Sequence, residues 1–154
     1  MDWVDNCDFL ELSIKENIDN IVFTANSVVT RKGLVMGRGA ALRIREAYPG
    51  IASEFGRILD RMPCGDYHVI SVKRPVDTPS TVYALQVKRN YRDPGDFDLC
   101  RNSLRKLVDI LNGEPAVLNC PLILNGGFNN EKQLVYEMVE FELKNTNILV
   151  TRID

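Results

Sequence analysis

The sequence has few of the residues that build metal or disulfide sites. It contains one histidine and four cysteines among 154 residues. Cys7, Cys64, Cys100 and Cys120 form no CxxC pair, whereas zinc sites use close pairs of Cys or His. We therefore expect reduced thiols, no metal and no cofactor. The first residues, MDWVDNCDF, lack the apolar segment of a secretory signal, and no apolar run suits a membrane span, so the expected location is cytoplasmic.

An excess of basic residues is also missing. The chain has 19 Lys and Arg against 21 Asp and Glu, which gives a net charge of −2. Because nucleic-acid binding needs a basic face, this balance argues against nonspecific binding to duplexes. The length favours one domain over residues 1–154, and 45% hydrophobic residues suit a globular core.

The sequence does contain alternating strand-like and helix-like segments. Short runs rich in Val, Ile and Tyr predict strands at residues 21–26, 67–72, 81–87, 115–125 and 147–151. Helical periodicity covers residues 40–62, 96–111 and 131–143. Pro49 and Gly50 divide the first of these into two short helices. This alternation predicts an α/β sandwich, with helices on both faces of a sheet.

A glycine-rich loop at residues 31–39, RKGLVMGRG, lies between the first buried strand and a helix. Gly33, Gly37 and Gly39 would let the backbone approach a ligand closely. The helix N-terminus that follows favours an anion, and phosphate is its usual occupant. The loop matches neither a Walker A motif nor GxGxxG. A flexible connector is the alternative interpretation.

A second loop at residues 125–130, NGGFNN, also lies between a strand and a helix. Ligands of open α/β sheets bind beyond the carboxyl ends of strands, so two such loops predict a clamp for a diphosphate. The alternative is a tight turn in which Asn129 or Asn130 caps the helix. Asn26, at the end of the first core strand, has two interpretations as well: a hydrogen bond to a ligand hydroxyl, or a turn that ends the strand.

In order along the chain, these segments resemble the macro domain family. The run TANSVVTRKGLVMGRGAALRIREAYPG is similar to the family's first signature, and MGRGAALRIREAYPG to a run in one branch. That branch contains the terminal ADP-ribose protein glycohydrolases and the antitoxins that reverse DNA ADP-ribosylation. LQVKRNYRDPGDFDLCRNSLRKL resembles the branch's strand, basic loop and helix, and NCPLILNGGFNN stands at the family's second glycine-rich loop.

The resemblance implies a three-layer α/β/α sandwich with a mixed, mostly parallel sheet and a cleft for ADP-ribose. By position, Asn26 would contact the distal ribose, and Gly37, Arg38 and Gly39 would line the diphosphate and that ribose. Phe128 would cover the distal ribose, or else be a core aromatic residue. The remaining residues of the implied ligand set are Gly33, Met36, Asn125, Gly126 and Gly127.

The chain also departs from the family pattern. The family's Gly-Asp-Ile, whose Asp reads the adenine amino group, has its nearest counterpart in Leu12-Ser13-Ile14, so that Ser13 and Ile14 join the ligand set. The glycohydrolase branch uses a Lys nucleophile and an assisting Asp, which align with Arg45 and Asn129. Arg stays protonated and Asn has no titratable carboxylate, so this alignment closes the covalent route.

Three functions follow from these residues. The first is a binding module for ADP-ribose or a related nucleotide, free or attached to a protein or nucleic acid. The second is a hydrolase that removes ADP-ribosyl groups or dephosphorylates ADP-ribose phosphate. The third is a protein-interaction domain with a vestigial cleft. The basic stretch at residues 88–92 is interpreted as a solvated loop that could reach an anionic substrate tail. The small size would suit a phage or bacterial accessory protein.

Overall fold

The computed structural model describes residues 1–121 and 131–152. A six-stranded sheet consists of β1 (Asp2–Asp5), β2 (Asn20–Ala25), β5 (Val69–Lys73), β6 (Thr81–Gln86), β7 (Ala116–Asn119) and β8 (Ile148–Arg152). A separate hairpin pairs β3 (Val29–Thr30) with β4 (Gly33–Leu34). The helices are α1 (Phe9–Lys15), α2 (Gly39–Ala47), α3 (Ile51–Asp60), α4 (Phe97–Leu111) and α5 (Lys132–Leu143).

The sheet has the strand order β1-β8-β7-β2-β6-β5. All neighbouring strands are parallel except β5 and β6, which are antiparallel. Every residue of β2 is buried, because β2 lies in the interior of the sheet with helices over both faces. The predicted α/β sandwich with a mixed, mostly parallel sheet is confirmed.

Two cores lie on opposite faces of the sheet. The α2-side core joins α1, α2 and α3 to the sheet, and in it the rings of Phe23 and Phe55 meet edge to face at 5.6 Å. The α4-side core joins α4 and α5 to the other face. Side chains of β2 alternate between the two: Ile21 and Phe23 enter the first, and Val22 the second.

Most elements with a strong hydrophobic pattern lie where the sequence predicts them. The break between α2 and α3 falls at Tyr48, Pro49 and Gly50, as expected. The sequence pattern does not predict β1, α1 or the β3–β4 hairpin, which are short and carry many polar residues. The end of the strand predicted at 115–125 and the loop at 125–130 lie outside the described residues.

The helices of the described ranges, 1–121 and 131–152, include none with the length and apolar character needed to cross a membrane.

Two glycines bring the β3–β4 hairpin into direct contact with α3. Gly33 has φ of +102°, and a Cβ on it would lie 2.1 Å from the carbonyl oxygen of Ala52. A Cβ on Gly56, in α3, would lie 2.9 Å from the Cα of Gly33. Backbone therefore packs on backbone here, and no side chain fits at either position.

We expect Gly33→Ala to lower the free energy of unfolding by about 3 kcal/mol, because the new methyl group meets backbone that cannot rotate away. Gly113→Ala is the matched control: Gly113 also has a positive φ, +88°, but nothing lies within 4 Å of its Cβ position. The free energy of unfolding of that variant should fall by only about 1 kcal/mol, which is the cost of placing alanine in left-handed backbone. Urea denaturation compares the two, and equal losses would contradict the close contact.

Candidate functional site

A cleft of about 530 Å³ opens at the carboxyl ends of β2 and β6. Its described lining residues come from the end of β2, from the first glycine-rich loop with α2, and from the segment after β6: Thr24, Ala25, Asn26, Val35, Gly37, Arg38, Ala41, Val87, Lys88, Tyr91 and Arg92. The volume lies in the range of small-molecule sites, roughly 300–1,000 Å³. The position is the one at which open α/β sheets bind ligands.

The cleft is positively charged although the chain as a whole is acidic. Arg38, Lys88 and Arg92 line it, and no Asp or Glu is among the described lining residues. The N-terminus of α2 adds to this potential: its N-cap is Arg38, which makes no side-chain capping bond. The first amides of α2 therefore remain available to an acceptor in the cleft. The arrangement suits an anionic ligand.

Asn26 connects the end of β2 to both ends of the loop that follows. Its Oδ1 accepts a hydrogen bond from the amide of Val28 at 2.8 Å, and its Nδ2 donates to the carbonyl of Val35 at 3.0 Å. An amide side chain offers a second N–H and a second lone pair, which the loop does not use. The same side chain can thus end the strand in a turn and still offer one hydrogen bond to the cleft.

The segment after β6 is held in place by Arg89. Its guanidinium bonds Asp66 at 2.8 Å and Asp96 at 3.0 Å, and its carbonyl accepts the amide of Ser27 at 3.0 Å. The hydrogen bond from Arg89 lowers the pKa of Asp66 below its usual range. Tyr91, two residues further on, lines the cleft with 41% of its surface exposed.

Lys88 is the buried cation of the site. Only 8% of its surface is exposed, and its Nζ lies 3.3 Å from the carbonyl oxygen of Tyr91. Burial lowers the pKa of Lys88, and the charge of Asp93 opposes this shift in part. The interpretation of residues 88–92 as solvated is wrong for Lys88. The sequence signal for this burial was the position of Lys88 directly after an apolar strand, where a side chain still begins in the protein interior.

Several residues of the predicted ligand set lie away from the described lining. Ser13 is fully buried in α1, where its hydroxyl donates to the carbonyl of Leu10 at 2.7 Å, and Ile14 is exposed on that helix. Gly33 packs on α3, and Met36 is in the α2-side core. Ser13, Gly33 and Met36 therefore contact other parts of the protein and not the described cleft.

The remaining predicted residues belong to α2 or to the second loop. Gly39 begins α2 with φ of +58°, and Arg45 is exposed on that helix outside the described lining. Asn26, Gly37 and Arg38 are brought together in the cleft. Asn125, Gly126, Gly127, Phe128 and Asn129 lie outside the described residues.

Comparison with solved structures places this architecture among known folds. The macrodomain of Thermus aquaticus DarG superposes with a TM-score of 0.80 at 20% identity, over 98% of this chain and 97% of that one. The macrodomain of Mycobacterium tuberculosis DarG gives 0.71 at 21% identity, with the same coverage of 98% and 97%. Thermosipho africanus DarTG, in complex with ADP-ribose, gives 0.78 at 13% identity over 100% of this chain and 42% of that one.

No protein-family model matches the sequence, and no curated protein is significantly similar to it. At such low identities the structural likeness establishes the fold, so the chain has the fold of a macro domain, as the sequence resemblance implied.

Proposed function

We propose that the cleft binds ADP-ribose or a closely related nucleotide derivative. The observation that carries the proposal is the set of Arg38, Lys88, Arg92 and the uncapped N-terminus of α2 around a cleft without a described carboxylate. A diphosphate supplies the charge that such a site needs, and its two flanking sugars supply hydroxyls. The likeness to Thermosipho africanus DarTG, whose structure contains ADP-ribose, supports the same ligand.

In this arrangement the diphosphate lies over the N-terminus of α2, beside Gly37, Arg38 and Gly39. The spare N–H of Asn26 bonds a ribose hydroxyl, and the exposed ring of Tyr91 covers one edge of the ligand. We extend the proposal to residues 125–128, with Phe128, as the segment that closes the cleft. The ADP-ribose is free in solution or attached to a protein or nucleic acid.

Asp8 replaces Ser13 as the residue proposed to read adenine. The first strand of the fold is β1, and the segment Cys7-Asp8-Phe9 that follows it fits the family's Gly-Asp-Ile better than a segment inside α1 does. The Asp8 carboxylate accepts the amide of Glu11 at 2.9 Å and pairs with Arg43 of α2 at 3.3 Å. Asp8 is about one-third exposed and lies outside the described lining of the cleft, so the adenine would extend beyond that lining to reach it.

A second function, removal of ADP-ribosyl groups, is favoured by Lys88. A desolvated lysine gives up its proton more readily than a solvated one, and its neutral amine is a nucleophile. The amine nitrogen would bond the anomeric carbon of the terminal ribose while the bond to the attached group breaks, with the electron pair and a proton going to that group. Water then hydrolyses the adduct. Arg45 is not needed for this route.

The charge of the cleft can be tested at Gly37. Gly37 has open space around its Cβ position, unlike Gly39, whose positive φ would strain any side chain. We expect Gly37→Glu to weaken ADP-ribose binding about 100-fold in calorimetry, because the carboxylate repels the diphosphate. Gly37→Gln, with the same shape and no charge, is the control and should lose at most about tenfold.

Calorimetry of the wild-type protein decides the proposal itself. ADP-ribose should bind much more tightly than AMP, because AMP lacks the diphosphate and the second sugar. No binding of ADP-ribose would leave the vestigial cleft as the better interpretation. Equal affinities of the Glu and Gln variants would show that no anion lies beside Gly37.

Recognition of adenine can be tested at Asp8. Asp8→Asn keeps a capping side chain for α1 but removes the charge. The wild type should prefer ADP-ribose about tenfold over the hypoxanthine analogue, which lacks the amino group, and the variant should lose this preference. A preference that survives in the variant, with the fold intact, would rule out Asp8 as the adenine reader.

Turnover can be tested at Lys88. Lys88→Arg should keep ADP-ribose binding within about threefold, because the charge remains, and should abolish release of ADP-ribose from a modified oligonucleotide or protein. The wild-type rate should rise with pH and level off below pH 10.5, the usual pKa of lysine, because burial favours the neutral amine.

Lys106→Arg, on the exposed part of α4, is the control for the lysine change. Undiminished release by Lys88→Arg would exclude Lys88 as the nucleophile. A wild-type protein that binds ADP-ribose but releases none would be a binding module.

A further inference from the structure

Thr24 carries a buried hydroxyl that the folded chain leaves unsatisfied. In the described part of the chain, its Oγ1 is the buried side-chain polar atom that has no hydrogen-bond partner. Thr24 is 4% exposed and also lines the cleft. A buried polar group without a partner is destabilising by about 1–3 kcal/mol, and native proteins contain few of them. A partner supplied by a ligand accounts for both observations.

The described pairing of β2 with β7 ends before Thr24. Among the described residues, the β2–β7 ladder ends at the pair Val22–Leu118, whereas the β2–β6 ladder continues to Ala25–Gln86. Because β2 side chains alternate, Thr24 points to the same face as Val22, which lies in the α4-side core. Its hydroxyl therefore lies on the α4-side face of β2, past the last described β2–β7 pair and at the lining of the cleft.

The anion-binding end of α2 belongs to the opposite face. Ala40 and Ile44 of α2 lie in the α2-side core, and Asp8 is tied to the same helix through Arg43. If the diphosphate of a ligand lies over α2 and its adenine lies near Asp8, the adenosine half of the ligand occupies that side of β2. The half beyond the diphosphate is then the part that passes the end of β2 toward Thr24.

We propose that the hydroxyl of Thr24 hydrogen-bonds the terminal ribose of the ligand and so makes the cleft selective for ADP-ribose over ADP. The proposal rests on the proposed function. A sugar hydroxyl is a suitable partner because it donates and accepts, as threonine does. ADP has no group at this position, so its binding leaves the hydroxyl of Thr24 as unsatisfied as in the free protein.

Thr24→Val tests the contact, because it keeps the shape and removes the hydroxyl. The melting temperature of the free protein should stay the same or rise, since the hydroxyl has no partner to lose. Affinity for ADP-ribose should fall about tenfold, while affinity for ADP stays within about twofold. Thr24→Ser, which keeps the hydroxyl, should bind both ligands with near wild-type affinity.

Thr151→Val is the matched control. Thr151 is also buried, but its hydroxyl donates to the carbonyl of Leu118 at 3.5 Å and it does not line the cleft. This change should lower the melting temperature and leave both affinities unaltered. The two variants thus separate a hydroxyl that serves the fold from one that serves the ligand.

The outcomes distinguish this inference from the proposed function. Wild-type affinity of Thr24→Val for ADP-ribose would overturn the inference alone, and so would an equal loss for ADP and ADP-ribose. Failure of the wild type to bind ADP-ribose would overturn both. If Thr24→Val does not fold, the wild-type protein is tested with ADP-ribose analogues that each lack one hydroxyl of the terminal ribose. A loss of affinity of about tenfold for one analogue supports the contact. No loss of affinity for any analogue overturns it.

Discussion

The geometry of the cleft depends on the side chain of Asn26. Its two bonds hold the amide of Val28, where the chain leaves β2, and the carbonyl of Val35, where it returns toward α2. The carbonyl of Asn26 is fixed as well, because it accepts the buried hydroxyl of Tyr67 at 2.5 Å. With these anchors the loop can place Gly37, Arg38 and the first amides of α2 over the end of β2. Both ends of the loop are therefore tied to the end of β2.

The fold could be predicted from the sequence where packing leaves a periodic pattern. β2 is apolar from Ile21 to Phe23, and α4 shows a clear apolar stripe, because each is buried against a whole layer. β1 and α1 leave a weaker signal: β1 presents only Trp3 and Val4 between charged ends, and α1 is seven residues long. Their positions depend on pairing with β8 and on packing against β2 and β7, which sequence spacing does not reveal.

The site could be predicted in part for a similar reason. The sequence singled out Asn26, Gly37 and Arg38, which lie in the cleft, but it grouped Gly33 with them. A glycine is required both where a ligand approaches and where a helix packs, and only the contact with Ala52 distinguishes the two. Thr24 and Lys88 were missed as site residues because their surroundings depend on distant partners, the end of the β2–β7 ladder and the loop held by Arg89.

The charge of the cleft constrains how binding and turnover can coexist. An anion close to Lys88 would stabilise its ammonium form and raise its pKa, which opposes nucleophilic attack. The N-terminus of α2 with Arg38 provides a separate place for the diphosphate, on the opposite face of β2 from Thr24. If the diphosphate lies there, Lys88 keeps the lowered pKa that burial gives it. A cleft that binds the phosphates beside α2, away from Lys88, would therefore allow both binding and turnover.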